Sequence, residues 1–159
     1  LAVALKEAAT PEFRAYAQQI VVNSRALSDA LLAGGARVIT GGSDNHLVLF
    51  DATTFGSTGK EAAVAMDIAG LEANANTVPF DPRSPMDPSG VRLGTPSLTS
   101  RGMAATEMTL IGGWICEAVQ KREDAAELRR IREQVRDLMA AFPAPGFEGG
   151  APLRSLLDD

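Results

Sequence analysis

The chain has 159 residues, a net charge of −5 and 45% hydrophobic residues, which suits one domain that buries its own core without a disulfide or a metal. The negative charge and the 5% of aromatic residues argue against a general nucleic-acid or anionic-membrane surface. One cysteine and one histidine exclude a disulfide framework and a Cys/His zinc site within this sequence, and no apolar run reaches the ~20 residues of a membrane span, so we expect a cytoplasmic protein.

Two helices are predicted at the start of the sequence. Residues 1–9 are helix-prone, and Thr10 followed by Pro11 is typical of the cap and first position of a second helix. Apolar side chains recur at helical spacing from Phe13 to Leu31. Gly34 and the glycine after it are expected to end this long amphipathic helix.

Two strands and a helix are predicted next. Residues 37–40 and 46–51 are short, branched and apolar, and the glycine-rich segment between them has turn chemistry, so an antiparallel pair is expected. Thr58, with Glu61 three residues further on, forms a capping-box pattern. That pattern predicts a helix over residues 59–69.

A proline-rich loop precedes the next strand. Residues 73–78 are expected to be extended, and four prolines between residues 79 and 88 exclude regular structure there. A long loop in a compact domain is more often functional than accidental. Residues 104–122 and 124–142 have the apolar spacing of two further helices. This order of elements predicts an α+β fold in which helices cover a small antiparallel sheet.

The segment between Ser89 and Gly102 contains the main candidate binding residue. Arg92 lies between Val91 and Leu93 in a strand-like run, where we expect it to be half-buried. An arginine in such a run is usually paired with an anion, because it remains charged and its planar fork matches a carboxylate or phosphate. The anion belongs either to the protein or to a ligand, and spacing alone favours a partner within the fold.

Six stretches of the sequence, in order and in register, resemble the serine hydroxymethyltransferases, which are pyridoxal-phosphate enzymes of the fold-type I class. They are AVALKEA (2–8), PEFRAY (11–16), GGSDNHLVLFD (41–51), TGKEA (58–62), NTVPFDPRSP (76–85) and SGVRLGTPSLTSRGM (89–103). One short match of this kind is weak evidence, whereas six in register are specific. The resemblance implies the carboxy-terminal portion of such an enzyme, with connecting helices at residues 1–33, a small C-terminal domain at 34–143 and a loose tail at 144–159.

The resemblance also implies a reaction. The family converts serine and tetrahydrofolate reversibly to glycine and 5,10-methylenetetrahydrofolate, with pyridoxal 5′-phosphate as electron sink on a Schiff-base lysine. That lysine lies upstream in the family and has no counterpart among Lys6, Lys60 and Lys121, the three lysines of this chain. We therefore expect no catalytic residue and no activity in the isolated chain, which would work with its large domain and a second subunit, as a homodimer or dimer of dimers.

Several residues match substrate-binding positions of the family. Arg92 matches the arginine that binds the amino-acid carboxylate, which reverses the preference for a partner within the fold. Asn76 matches an asparagine that contacts folate, although an asparagine before Thr77 is equally typical of a turn. The resemblance places three further residues on the folate side: Val78, Phe80 and Ser84.

Two alternatives remain open from the sequence. Another fold-type I enzyme, such as a threonine aldolase-like one, would keep Arg92 without using folate. A non-enzymatic remnant domain would keep only the fold as an interaction unit. Asn76 and the proline-rich loop favour the folate-dependent enzyme over the aldolase-like one.

Overall fold

The computed structural model describes residues 1–146, and the predicted tail beyond residue 146 lies outside the described residues. Two helices, α1 (Ala2–Ala8) and α2 (Pro11–Ala33), precede strands β1 (Arg37–Val38) and β2 (Leu47–Asp51). A 3₁₀ turn (Ala52–Phe55) is followed by α3 (Gly59–Ile68), β3 (Asn74–Asn76) and β4 (Gly90–Gly94). Three more helices follow: α4 (Pro96–Ser100), α5 (Ala105–Gln120) and α6 (Ala125–Ala141).

The four strands form one antiparallel sheet in the order β1-β2-β4-β3. Strand β4 is an inner strand, and its Val91 and Leu93 are buried in the core. Because side chains alternate between the two faces of a sheet, Arg92 lies on the opposite side. We call this side the open face. The predicted α+β architecture with a small antiparallel sheet is confirmed.

Helices α2 and α5 pack closely because glycines lie where they meet. A Cβ built on Gly112 of α5 would lie 2.5 Å from the Cβ of Ala30 in α2, and a Cβ on Gly34 would overlap the sulfur of Cys116. Either side chain would push the two helices apart, since protein interiors have little spare volume. Cys116 is buried, as predicted, and burial raises the pKa of its thiol to about 11.

The structure differs from the sequence-based assignment in its short elements. The predicted strand 37–40 is shortened to Arg37–Val38, because the amide of Gly41 donates to the carbonyl of Val38 at 3.0 Å and turns the chain. The 3₁₀ turn and α4 were not predicted, since neither is long enough to show a helical period. Within residues 1–146, no helix has the length and apolar character needed to cross a membrane.

Candidate functional site

Strand β4 presents Arg92 alone on the open face. The residues two positions away on either side, Gly90 and Gly94, have no side chains. Arg92 is exposed, and its guanidinium makes no hydrogen bond or ion pair with any of residues 1–146. Arg92 is thus exposed rather than half-buried, and the partner within the fold that spacing alone favoured is not found among residues 1–146. The reason is the alternation of β4, which gives Val91 and Leu93 the core face and leaves Arg92 facing away from the core.

Asn76 ends strand β3 close to this arginine. It lies opposite Gly90 in the register, so it is the diagonal neighbour of Arg92 on the open face. Diagonal neighbours in antiparallel sheets lie roughly 7–8 Å apart, which is within reach of a long side chain. The Nδ2 group of Asn76 donates to the carbonyl of Thr77 at 2.7 Å. Asn76 is half-buried, and its side-chain oxygen accepts no hydrogen bond from the part of the chain that is described.

Gly90 is the contact point between β4 and β3. A Cβ at this position would lie 2.7 Å from Cγ1 of Val78, 2.8 Å from the carbonyl oxygen of Asn76 and 3.1 Å from Cδ1 of Leu49. The first two distances are shorter than real Cβ atoms show, and the third would require the side chain of Leu49 to shift slightly. The absence of a side chain at Gly90 therefore lets β3 and the start of the proline-rich loop approach Arg92.

The proline-rich loop between β3 and β4 is held together by the carboxylate of Asp81. Its Oδ2 accepts from the amides of Val78 (3.1 Å) and Ser89 (2.9 Å). Its Oδ1 accepts from the amide of Arg83 (3.0 Å) and the hydroxyl of Ser89 (2.7 Å). These hydrogen bonds, that of the Ser89 amide first, hold the pKa of Asp81 well below its ordinary value. Val78 and Ser89 lie at opposite ends of the loop, so one side chain closes it.

A tight turn inside this loop exposes Phe80. The amide of Asp81 donates to the carbonyl of Val78 at 3.0 Å, with Pro79 and Phe80 between them. Phe80 has a φ of 57°, in the left-handed region that favours glycine, and it is the one non-glycine residue with positive φ in residues 1–146. Its side chain is fully exposed. A proline followed by glycine or asparagine would have signalled this turn in the sequence, but an aromatic residue in that place does not.

Two further contacts hold the remainder of the loop, one within the loop and one to helix α3. The side chain of Arg83 forms an ion pair with Asp87, which lowers the pKa of that carboxyl group. The amide of Gly59, at the start of α3, donates to the carbonyl of Pro88 at 2.7 Å, and a Cβ on Gly59 would overlap the carbonyl oxygen of Gly90. Helix α3 therefore fixes the point where the loop enters β4.

The structure separates the residues that the sequence assigned to the folate side. Val78 is half-buried and near enough to Gly90 that only a glycine fits there. Phe80 and Ser84 are exposed, and the hydroxyl of Ser84 accepts from the amide of Met86 at 3.2 Å. Arg92, Asn76 and Val78 thus surround Gly90, while Phe80 and Ser84 lie further out on the loop.

Two residues important to this geometry were missed in the sequence. Asp81 lies inside a stretch that carries the family resemblance, and an aspartate directly before a proline, here Pro82, is a typical turn signal. Asn74 lies directly opposite Arg92, but only the strand register reveals this. Alternation along a three-residue strand is too short a pattern to predict a register.

A profile of the serine hydroxymethyltransferase family matches residues 1–115. The chain belongs to this family. A curated protein of Sorangium cellulosum named serine hydroxymethyltransferase is 54% identical over 147 residues, which are 92% of this chain and 35% of the relative. Proteins of the same name from Acidothermus cellulolyticus and Desulfotalea psychrophila are 53% and 49% identical, over 93% of this chain and 36% and 35% of their own lengths.

The chain spans about 35% of the length of the curated relatives that it matches. The resemblance deduced from six short motifs is confirmed, and so is the prediction that the chain corresponds to a carboxy-terminal portion of a serine hydroxymethyltransferase. None of these comparisons assigns a role to a single residue. The roles of Arg92 and of the folate-side residues therefore remain predictions.

The three lysines of the chain all lie on helices or at their ends. Lys6 lies in α1, Lys60 in the first turn of α3 and Lys121 at the end of α5, and all three are exposed. None belongs to a strand of the sheet that carries Arg92.

Proposed function

We propose that this chain supplies the amino-acid carboxylate site and part of the folate site of a serine hydroxymethyltransferase. The enzyme would interconvert serine and glycine with tetrahydrofolate as the one-carbon acceptor, within one-carbon metabolism. The observation that carries the proposal is Arg92, an exposed guanidinium that forms no ion pair with any of residues 1–146. Such a group has its full set of donors available for a ligand carboxylate.

The role of Arg92 is to bind and orient the amino acid. A guanidinium fork forms two parallel hydrogen bonds to a carboxylate, so it fixes direction as well as position. Gly90 and Gly94 keep neighbouring side chains of β4 away from the fork. Orientation of this kind contributes to catalysis by positioning, without Arg92 itself taking part in bond making.

The folate side consists of Asn76 and the proline-rich loop. The side-chain oxygen of Asn76 is available to accept a hydrogen bond from the pterin ring, because its amide nitrogen is the group bound to Thr77. Val78 offers apolar surface next to Gly90. Phe80 and Ser84 extend this side along the exposed part of the loop.

The cofactor and the remaining catalytic groups belong to other parts of the enzyme in this proposal. Pyridoxal 5′-phosphate would be held mainly by the large domain, and a second subunit would complete the site. Residues 1–33 would connect the large domain to the small domain at residues 34–143. The position of the lysines on helices, away from the strand that carries Arg92, supports this division.

The test is Arg92→Lys in the complete enzyme that carries this chain. Lysine keeps the charge but loses the planar fork. Because one charge-assisted hydrogen bond is worth about 1.5–3 kcal/mol, we expect serine affinity to fall roughly 10- to 100-fold, with tetrahydrofolate affinity unchanged. The matched control is Arg129→Lys, on the exposed surface of α6. A near-normal serine dissociation constant for Arg92→Lys would refute the carboxylate assignment.

A further inference from the structure

Asn74 is the polar side chain directly opposite Arg92. The two residues are paired in the register of β3 and β4, and both are exposed on the open face. Directly opposite residues in an antiparallel pair have their Cβ atoms roughly 4.5–5.5 Å apart. The side-chain amide of Asn74 makes no hydrogen bond with the chain up to residue 146. Two polar groups with unused hydrogen-bonding capacity are thus neighbours.

No other position directly beside Arg92 offers a polar side chain, and its two polar diagonal neighbours are already bonded: Asn76 through Nδ2 to Thr77, and the buried Asp51 to Arg37 and Thr53. Gly90 and Gly94 lie on either side of it along β4. On the neighbouring strand β2, the paired residue is Leu49, which is half-buried. Arg92 therefore has an apolar neighbour on one flank and an amide on the other, and Asn74 is the adjacent side chain able to orient its guanidinium.

The difference in length between the two side chains determines which atoms can meet. Asparagine is shorter than arginine, so its amide can reach the Nε end of an opposite guanidinium more readily than the two terminal nitrogens. An amide oxygen can accept the Nε–H, which leaves both terminal Nη groups free for a carboxylate. A guanidinium that is supported at Nε keeps its two terminal nitrogens in the plane that a carboxylate requires.

We propose that Asn74 is a positioning residue of the amino-acid site: when the substrate carboxylate binds, the side-chain oxygen of Asn74 accepts a hydrogen bond from Nε–H of Arg92, a bond that residues 1–146 do not make on their own, and this bond keeps both Nη groups directed at the carboxylate. The inference rests on the proposed function, because it requires Arg92 to bind a carboxylate. It adds a second residue to that site and assigns Asn74 to amino-acid binding and Asn76 to folate binding. Two alternate positions of β3, on the same face of the sheet, would thus serve different substrates.

The test compares two substitutions that add the same charge to the same strand. In the complete enzyme, Asn74→Asp places a carboxylate opposite Arg92, where it acts as an internal anion and competes with the substrate. Ala75→Asp adds the charge one residue further on, to the other side of the strand. We expect KM for serine and glycine to rise roughly fivefold in Asn74→Asp, as for an opposite-charge cross-strand pair, and to remain unchanged in Ala75→Asp.

Further readouts separate positioning from general damage. In Asn74→Asp, kcat at saturating serine and KM for tetrahydrofolate should stay at wild-type values, and the melting temperature should not fall, because the new ion pair with Arg92 stabilises the fold. Asn74→Ala, which removes the acceptor without adding charge, should raise serine KM by about two- to threefold. An equal rise in serine KM in Asn74→Asp and Ala75→Asp would overturn the inference, because it would reflect charge in general.

The Arg92→Lys variant distinguishes failure of this inference from failure of the proposed function. If Arg92→Lys leaves serine affinity unchanged, Arg92 binds no carboxylate, and both proposals are overturned. If Arg92→Lys weakens serine binding while Asn74→Asp and Asn74→Ala have wild-type KM, only the role of Asn74 is overturned. A fall in kcat with unchanged KM in the Asn74 variants would also overturn it.

Discussion

Gly90→Ala should disturb the folate side of the site more than any other single-methyl change on β4. The added Cβ would lie 2.8 Å from the carbonyl oxygen of Asn76 and 2.7 Å from a methyl group of Val78. Ordinary van der Waals contact begins near 3.4 Å, so β3 must move away from β4 by about 0.6 Å. Overpacking of this kind costs about 1–3 kcal/mol of folding free energy.

Strand β4 itself provides the control, because Gly94→Ala adds the same methyl group on the same face. A Cβ at Gly94 would meet its nearest atoms at 3.7 Å and beyond, which is ordinary contact. We expect Gly90→Ala to lower the melting temperature of the complete enzyme and to weaken tetrahydrofolate binding, measured by titration calorimetry. Gly94→Ala should do neither. Equal stability and equal folate affinity in the two variants would refute the argument that Gly90 sets the approach of β3 to β4.

Two further predictions concern the proline-rich loop. In the folded chain, the pKa of Asp81 lies below its ordinary value of 3.8, so the ionised carboxylate stabilises the fold fully above that pH and this effect is lost as the pH falls through the folded-state pKa. Asp81→Asn should therefore make the melting temperature decline less steeply between about pH 4 and 2. An unchanged decline in this pH range would contradict the prediction. Phe80→Gly should leave the melting temperature unchanged or raise it, because glycine tolerates the positive φ that costs other residues about 1–2 kcal/mol. Phe80→Val should lower the melting temperature, because valine does not tolerate that φ. Equal melting temperatures for the two Phe80 variants would show that this turn stores no strain.

Local patterns were sufficient to predict the longer elements. Thr10 and Pro11 begin α2 and the capping box of Thr58 and Glu61 begins α3, as the sequence indicates. These signals act within one turn of helix, so they are visible in a short window of sequence. The 3₁₀ turn and α4 depend on bonds to neighbouring segments, such as the hydroxyl of Tyr16 donating to the carbonyl of Pro96 at 3.1 Å.

The candidate site could be predicted only in part, because it depends on register. The motif around Arg92 identified the residue, but its exposure follows from the side of the sheet that Val91 and Leu93 occupy. The pairing of Asn74 with Arg92 joins residues far apart in the sequence, and no local pattern specifies it. The reach of Asp81 to both ends of the loop likewise becomes visible only when the loop is closed.

The closure of the loop by Asp81 has a consequence for chain length. The carboxylate binds Val78 and Ser89 directly, so the segment between Pro82 and Pro88 bridges two points that are already held. The entropic cost of closing a loop grows slowly, by about 0.6 kcal/mol for each doubling of its length. Insertions and deletions in this segment would therefore leave the entry to β4 in place, and natural variation in loop length is best accommodated there.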